Sequence, residues 1–326
     1  MRKYILALAA GLMAIGAASA TPALADGGHN GHGSPGADVT QTNVNSKPQA
    51  PARGPATFFA ASLTGAAEVP VANGPAVGDP DGKATALVTL KGDRVTFALQ
   101  WQGIGAPTLG HFHQGKAGIN GDVKVPLFTT AMPDTVNSAA GQVTVTDAVL
   151  AKQIRTNPRG FYVNLHSKEF PGGAVRGQLQ KLNQRVNPLD IIQGGRLLAL
   201  MDGGQEVPSG ANSKVGDKDG HAVTFLRPQG TAVNYSLAWV NIAPPTLAHI
   251  HEGAFGKNGD VKIPLFTTPI PNNIFAVSGT AINQDAHVVQ QVRQKPANFY
   301  SNIHTGEFPD GAVRGQLFDK RLGLGR

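Results

Sequence analysis

The chain contains no cysteine. Disulfides, thiolate metal ligands and a lipid anchor on an N-terminal cysteine are therefore excluded, and stability must rest on burial and hydrogen bonding. Basic residues are scattered rather than gathered into runs interleaved with aromatics, which make up only 6% of the chain, so nucleic acid is not an expected partner. Beyond the first residues, nothing approaches the roughly 20 consecutive apolar residues that a spanning helix needs, and no transmembrane segment is expected in the mature chain. Familiar catalytic signatures are missing as well. There is no G-x-S-x-G elbow, Walker loop, dinucleotide fingerprint or H-E-x-x-H helix.

What is present begins with "MRKYILALAAGLMAIGAASATPALADGG". Arg2 and Lys3 precede an apolar run from Tyr4 to Ala18, and small residues close at Ala23-Leu24-Ala25. This reads as a secretory signal over residues 1–25, cleaved after Ala25, with Ala20 as the second choice, and predicts a secreted or cell-surface protein. Residues 26–56, rich in Gly, Pro, Ser and Asn, cannot bury enough apolar surface to offset ordering entropy and read as a flexible tether. His29 and His32 lie in it. The formal charge of +7 falls to +5 once Arg2 and Lys3 leave, since 26 basic residues then face 21 acids. A basic balance of this size would favour anionic cell-surface or wall polymers.

The chain repeats itself. "TLGHFHQGKAGINGDVKVPLFTT" from Thr108 answers "TLAHIHEGAFGKNGDVKIPLFTT" from Thr246. The pairs Glu68 and Glu206, Trp101 and Trp239, His111 and His249, His166 and His304, and Arg176 and Arg314 all lie 138 positions apart, as 249 is from 111. A period this long marks a duplicated domain, because solenoid repeats run to about 20–50 residues. The expected domains are 57–183 and 195–322, joined by a linker at 184–194.

Within each copy the hydrophobic pattern is short and mostly of period two. "KATALVTLKGDRVTFALQW" from Lys83 alternates across a Lys-Gly-Asp turn, as a β-hairpin does. "VKVPLFTT", "GQVTVTD", "GFYVNLH" and "GAVRGQLQ" read as further strands. One helix is predicted in each copy, "TDAVLAKQIRTNP" with Thr146 as N-cap, and its counterpart from Asn283. The fold class is all-β: two tandem antiparallel sandwich or barrel domains, each with one short helix.

In a strand, residues i and i+2 share a face, so His111 and His113 present two imidazoles side by side, as do His249 and His251. His166 and His304 lie on the strands "FYVNLH" and "FYSNIH". If those strands neighbour the H-x-H strands, three neutral nitrogens converge in each domain, a set that suits one copper or zinc ion with an open fourth position for water or a carboxylate such as Glu68, Glu206, Glu169 or Glu307. Histidines beside turns also serve simply as hydrogen-bond partners of backbone carbonyls. The return of all three in the second copy favours the metal reading, whereas His221 and His287 align with Lys83 and Val149. Arg176 and Arg314 are expected to form internal ion pairs, with Glu68 and Glu206 as first partners, and a carboxylated ligand is the functional alternative. "DPDG" at Asp79 and "DKDG" at Asp217 read as tight turns rather than calcium loops, and "GINGD" and "GKNGD" as turns in which Asn-Gly supplies positive φ.

The stretches "GAAEVP", "GHFHQGKAGINGDVKVPLF" and "FYVNLHSKEFPGGAVRGQL" resemble the CHRD domain, named from chordin and found in many exported bacterial proteins. The resemblance spans both repeats and implies fold and boundaries more than activity. The H-x-H strand is also similar to the copper strand of copper-zinc superoxide dismutases, although that family needs a fourth copper histidine, a bridging histidine, a zinc aspartate and usually a disulfide. The expected function is a non-enzymatic binding or surface module with a three-histidine copper or zinc site in each domain. The alternatives are a dismutase-like enzyme with an open site and a metal-free structural protein of the cell wall.

Overall fold

The computed structural model describes residues 39–40 and 52–320. The expected signal segment and the tether histidines His29 and His32 lie outside the described residues. The first repeat carries β1 (Val39–Thr40), β2 (Ala56–Thr64), β3 (Lys83–Lys91), β4 (Arg94–Gln102), β5 (Leu109–Gln114), β6 (Val123–Phe128), β7 (Val136–Val145), helix α1 (Ala148–Thr156), β8 (Phe161–His166), β9 (Val175–Gln178) and β10 (Gln180–Leu182). The second carries β11 (Leu197–Asp202), β12 (His221–Gln229), β13 (Ala232–Val240), β14 (Pro245–Glu252), β15 (Val261–Phe266), β16 (Ile274–Ala281), helix α2 (Ala286–Gln294), β17 (Phe299–Thr305), β18 (Val313–Gln316) and β19 (Phe318–Asp319). The chain forms two compact units, one drawn mostly from residues before Ile192 and the other mostly from Ile192 onward. Among the described residues, no helix is long and apolar enough to cross a membrane.

The period-two stretches become strands for the expected reason. In β3 every second side chain, Ala84, Ala86, Val88 and Leu90, is buried while Lys83 and Lys91 face solvent. Lys91 pairs with Arg94 across a two-residue turn, and Gly92 there takes φ +59, which a side chain disfavours. The helices begin one residue later than Thr146 suggested. Asp147, not Thr146, caps α1 by accepting from the Val149 N–H at 2.7 Å, and Asp285 does the same for α2 with His287.

Each repeat is an antiparallel β-sandwich. In the first, β3 pairs with β2 and β4, and β4 continues to β7. The other layer runs β6, β5, β8, β9. The layers join at β2, which pairs with β10 and meets β9 at Thr64 and Arg176. The second repeat follows the same plan, with β15, β14, β17 and β18 forming the second layer and Asp202 meeting Arg314 at the join. Phe59, Val88, Phe97, Phe112, Val163 and Leu165 are fully buried in the first repeat. At about 1.5–3 kcal/mol for each large apolar side chain buried, such a core holds a domain without disulfides.

Strand β8 departs from alternation. All six residues of β8 are buried, although its two faces differ in kind. Phe161, Val163 and Leu165 belong to the apolar face, while Tyr162, Asn164 and His166 make a polar face that is buried too. That inward polar face positions the site.

Candidate metal centre

β5 lies between β6 and β8, and its antiparallel register with β8 sets His111 opposite Asn164, His113 opposite Tyr162 and Leu109 opposite His166. Directly opposed residues share a face of the sheet, so the three imidazoles come together from two segments far apart in sequence. Ring centroids are 5.7 Å apart for His111 and His113, 5.3 Å for His111 and His166, and 6.5 Å for His113 and His166. The second repeat reproduces this with His249, His251 and His304 at 5.8, 5.3 and 6.4 Å. In each group, one ligand nitrogen per histidine lies within 4.8 Å of the others, close enough for a shared metal ion.

The rings are fixed from behind. His113 Nδ1–H donates to the Gly121 carbonyl at 2.9 Å and His166 Nδ1–H to the Pro171 carbonyl at 2.8 Å. A carbonyl only accepts, so Nδ1 carries the proton and Nε2 keeps its lone pair. His251 with Gly259 and His304 with Pro309 repeat both bonds at 2.9 Å. In the second repeat, His249 Nδ1, His251 Nε2 and His304 Nε2 are buried with no hydrogen-bond partner among the described residues. The choice of nitrogen is geometric. Neighbouring i and i+2 side chains run parallel, and two of them meet at one point when one offers its near nitrogen and the other its far one.

Burial also fixes charge. His249 is pushed down to about 4, first by desolvation and then by the neighbouring His304 and His251. His251 and His304 are likewise lowered, with burial the main cause. At neutral pH the second group is three uncharged imidazoles, the form in which histidine binds metal.

The acidic and basic candidates take other places. Among the described residues, no carboxylate belongs to either three-histidine group. Glu169 and Glu307 are exposed. Glu68 Oε2 accepts from Asn164 Nδ2 at 3.4 Å, and burial drives its carboxyl up to about 8 against the opposing pull of Arg176 and Asn164; Glu206 with Asn302 and Arg314 behaves identically. Arg176 and Arg314 interact electrostatically with the anticipated Glu68 and Glu206, and the guanidinium hydrogen bonds go to further partners. Arg176 donates to Asn120 Oδ1 at 3.1 Å and to the carbonyls of Lys116 at 2.9 Å and Ile119 at 2.7 Å. Arg314 does the same with Asn258, Ala254 and Lys257. Carbonyls satisfy the guanidinium without a second buried charge, which removes one desolvation cost.

Those bonds hold the loop between β5 and β6, which in turn holds His113. Gly121 supplies the carbonyl, and a Cβ there would lie 1.7 Å from the Gln114 carbonyl oxygen. Glycine is needed for that close approach. Positive φ in this loop occurs at Gly118, not at Asn120, whose amide instead bridges Arg176 and the Val69 carbonyl at 2.9 Å. Tyr162 completes the support. Its ring stacks on His113, its hydroxyl accepts from Gly121 N–H at 3.2 Å, and the Arg176 guanidinium sits 3.4 Å over its centroid. Sequence reasoning passed over Tyr162 and Asn164 and gave Asn120 and Gly121 only a turn role, although each recurs 138 positions later as Tyr300, Asn302, Asn258 and Gly259. Asp79 acts as a turn residue, its Oδ1 accepting from Asp81 N–H at 3.1 Å.

The family model of the CHRD domain matches residues 59–179 and again 197–317. No curated protein matches the chain.

Proposed function

The chain belongs to the CHRD-domain family through two tandem copies, and from that premise we propose that it is an exported binding module whose two domains, 57–183 and 195–322, each hold one copper or zinc ion. The observation that carries this reading is the convergence of three imidazoles from two strands in both repeats, two of them in each repeat oriented by an Nδ1–H bond to a backbone carbonyl. Three neutral nitrogens at this spacing suit borderline ions such as Cu²⁺ and Zn²⁺, and copper would bind the more tightly of the two. Each group offers three protein donors, so a fourth position would go to water or an external ligand. The dismutase-like reading is the less favoured, because among the described residues neither group has a fourth histidine or a carboxylate. The residue pattern of segment 1–25 supports export, and the basic charge supports residence near anionic wall polymers.

Metal content tests the reading. Purified mature chain exposed to Cu²⁺ or Zn²⁺ and then dialysed should retain two ions. His111→Ala should reduce this to one and His111→Ala with His249→Ala to none. Retention of no metal would overturn it.

A further inference from the structure

The two histidine groups share ligands, register and backing bonds, yet they differ in cover. His113 is fully buried at 0% exposure and His111 is also buried, whereas their counterparts His251 and His249 are half-buried. The facing strand shows the same contrast. Val123, opposite His113, is 6% exposed, while Val261, opposite His251, is 47% exposed. Pro126, opposite His111, is buried, and Pro264, opposite His249, is exposed. Four equivalent positions on one face thus change together. The loop after β14 adds an outward Phe255 where the first repeat has Ala117. The first repeat also has β1, paired with β7 and lying beside β6, and the second has no equivalent of it among the described residues.

We propose that the two sites are unequal in use: the first retains its ion, and the second exchanges its ion with, and takes its fourth ligand from, small soluble donors bearing nitrogen, oxygen or sulfur. This rests on the metal-binding reading above. Ring spacing and carbonyl backing do not separate the sites, since both are common to the two repeats. Access does. A chelator reaches a covered ion only after the cover opens, and an opening that costs 1.4 kcal/mol already slows release about tenfold.

The full chain loaded with two equivalents of Cu²⁺ provides the test. With excess EDTA, the visible copper absorption should decay in two phases of equal amplitude, separated at least about tenfold in rate. His251→Ala should delete the fast phase and His113→Ala the slow one. Azide should perturb one copper per chain, and that response should vanish with His251→Ala. Loss of both ions at one rate, or azide binding to both, would overturn the inequality while leaving the metal reading intact, and the wild-type kinetics decide this even if a variant fails to fold. A chain that takes up no copper would instead remove the metal reading, and the inequality with it.

Discussion

The imidazole of His113 and the ring of Tyr162 lie parallel, 6° apart in plane and 4.8 Å between centroids, and His251 with Tyr300 repeats the stack at 8° and 4.8 Å. The stack places a flat wall behind one ligand, and the Tyr162 hydroxyl accepts from the backbone of the same Gly121 whose carbonyl orients that ligand. Tyr162→Leu removes both supports. An aromatic pair is worth about 0.5–1.5 kcal/mol beyond its area, so copper affinity at the first site should fall up to about tenfold. Tyr162→Phe keeps the stack and should lose less. Competition titration against a chelator of known affinity measures both.

Arg176 holds the loop that holds His113. Three of its hydrogen bonds go to Asn120, Lys116 and Ile119, and bonds to a charged donor are worth about 1.5–3 kcal/mol each. Lysine has no planar fork and cannot make all three. Arg176→Lys should therefore destabilise the first domain by on the order of 3 kcal/mol, visible as an earlier urea transition for that domain with the second unchanged. A transition that does not move would show that the loop is held by other contacts.

How much of this was legible in the sequence depended on range. Alternation wrote β3 and β4 plainly, and the 138-residue offset wrote the duplication. The helix starts were displaced by one residue because Asp147, as good an acceptor as Thr146, is the residue that takes the Val149 N–H. The meeting of His111 with His166 was written only as a condition, since it depends on β5 pairing with β8 across about 50 intervening residues. Arg176 was harder still. Its partners are mostly backbone carbonyls, which every residue carries, so no side-chain pattern announces them, and a carboxylate was the natural guess.

Stability of the metal-free chain should peak in mildly acidic solution. His249 titrates near 6.5 when unfolded and at about 4 when folded, so between those values the unfolded chain binds the extra proton. The contribution of a neutral buried His249 is therefore lost as pH falls through that window, and His251 and His304 act in the same direction. Glu68 and Glu206 run the other way. Their carboxyls titrate near 4.5 unfolded and about 8 folded, so the folded chain binds the extra protons and stability is lost as pH rises from 4.5 through 8. Urea midpoints across pH 4 to 9 should show both limbs, and Glu68→Gln with Glu206→Gln should flatten the alkaline one. An alkaline limb that survives both substitutions would place its origin elsewhere.

Glu68→Gln also separates two roles for the buried acid. Its Oε2 accepts from Asn164 and its Oε1 is buried without a hydrogen-bond partner among the described residues, while the carboxyl, driven up to about 8, is protonated at neutral pH. Glutamine has nearly the same shape and is also uncharged, so at pH 6 the variant should match the parent in stability and should keep its copper at the first site. A carboxylate that closed the coordination sphere would behave differently: the bound cation would draw it into the charged form, and its replacement by an amide would weaken copper binding and change the copper spectrum. Retained affinity with an unchanged spectrum assigns Glu68 to the support of Asn164 and leaves the fourth position to a ligand from solution. A loss confined to the first site would instead make Glu68 a ligand recruited by the ion.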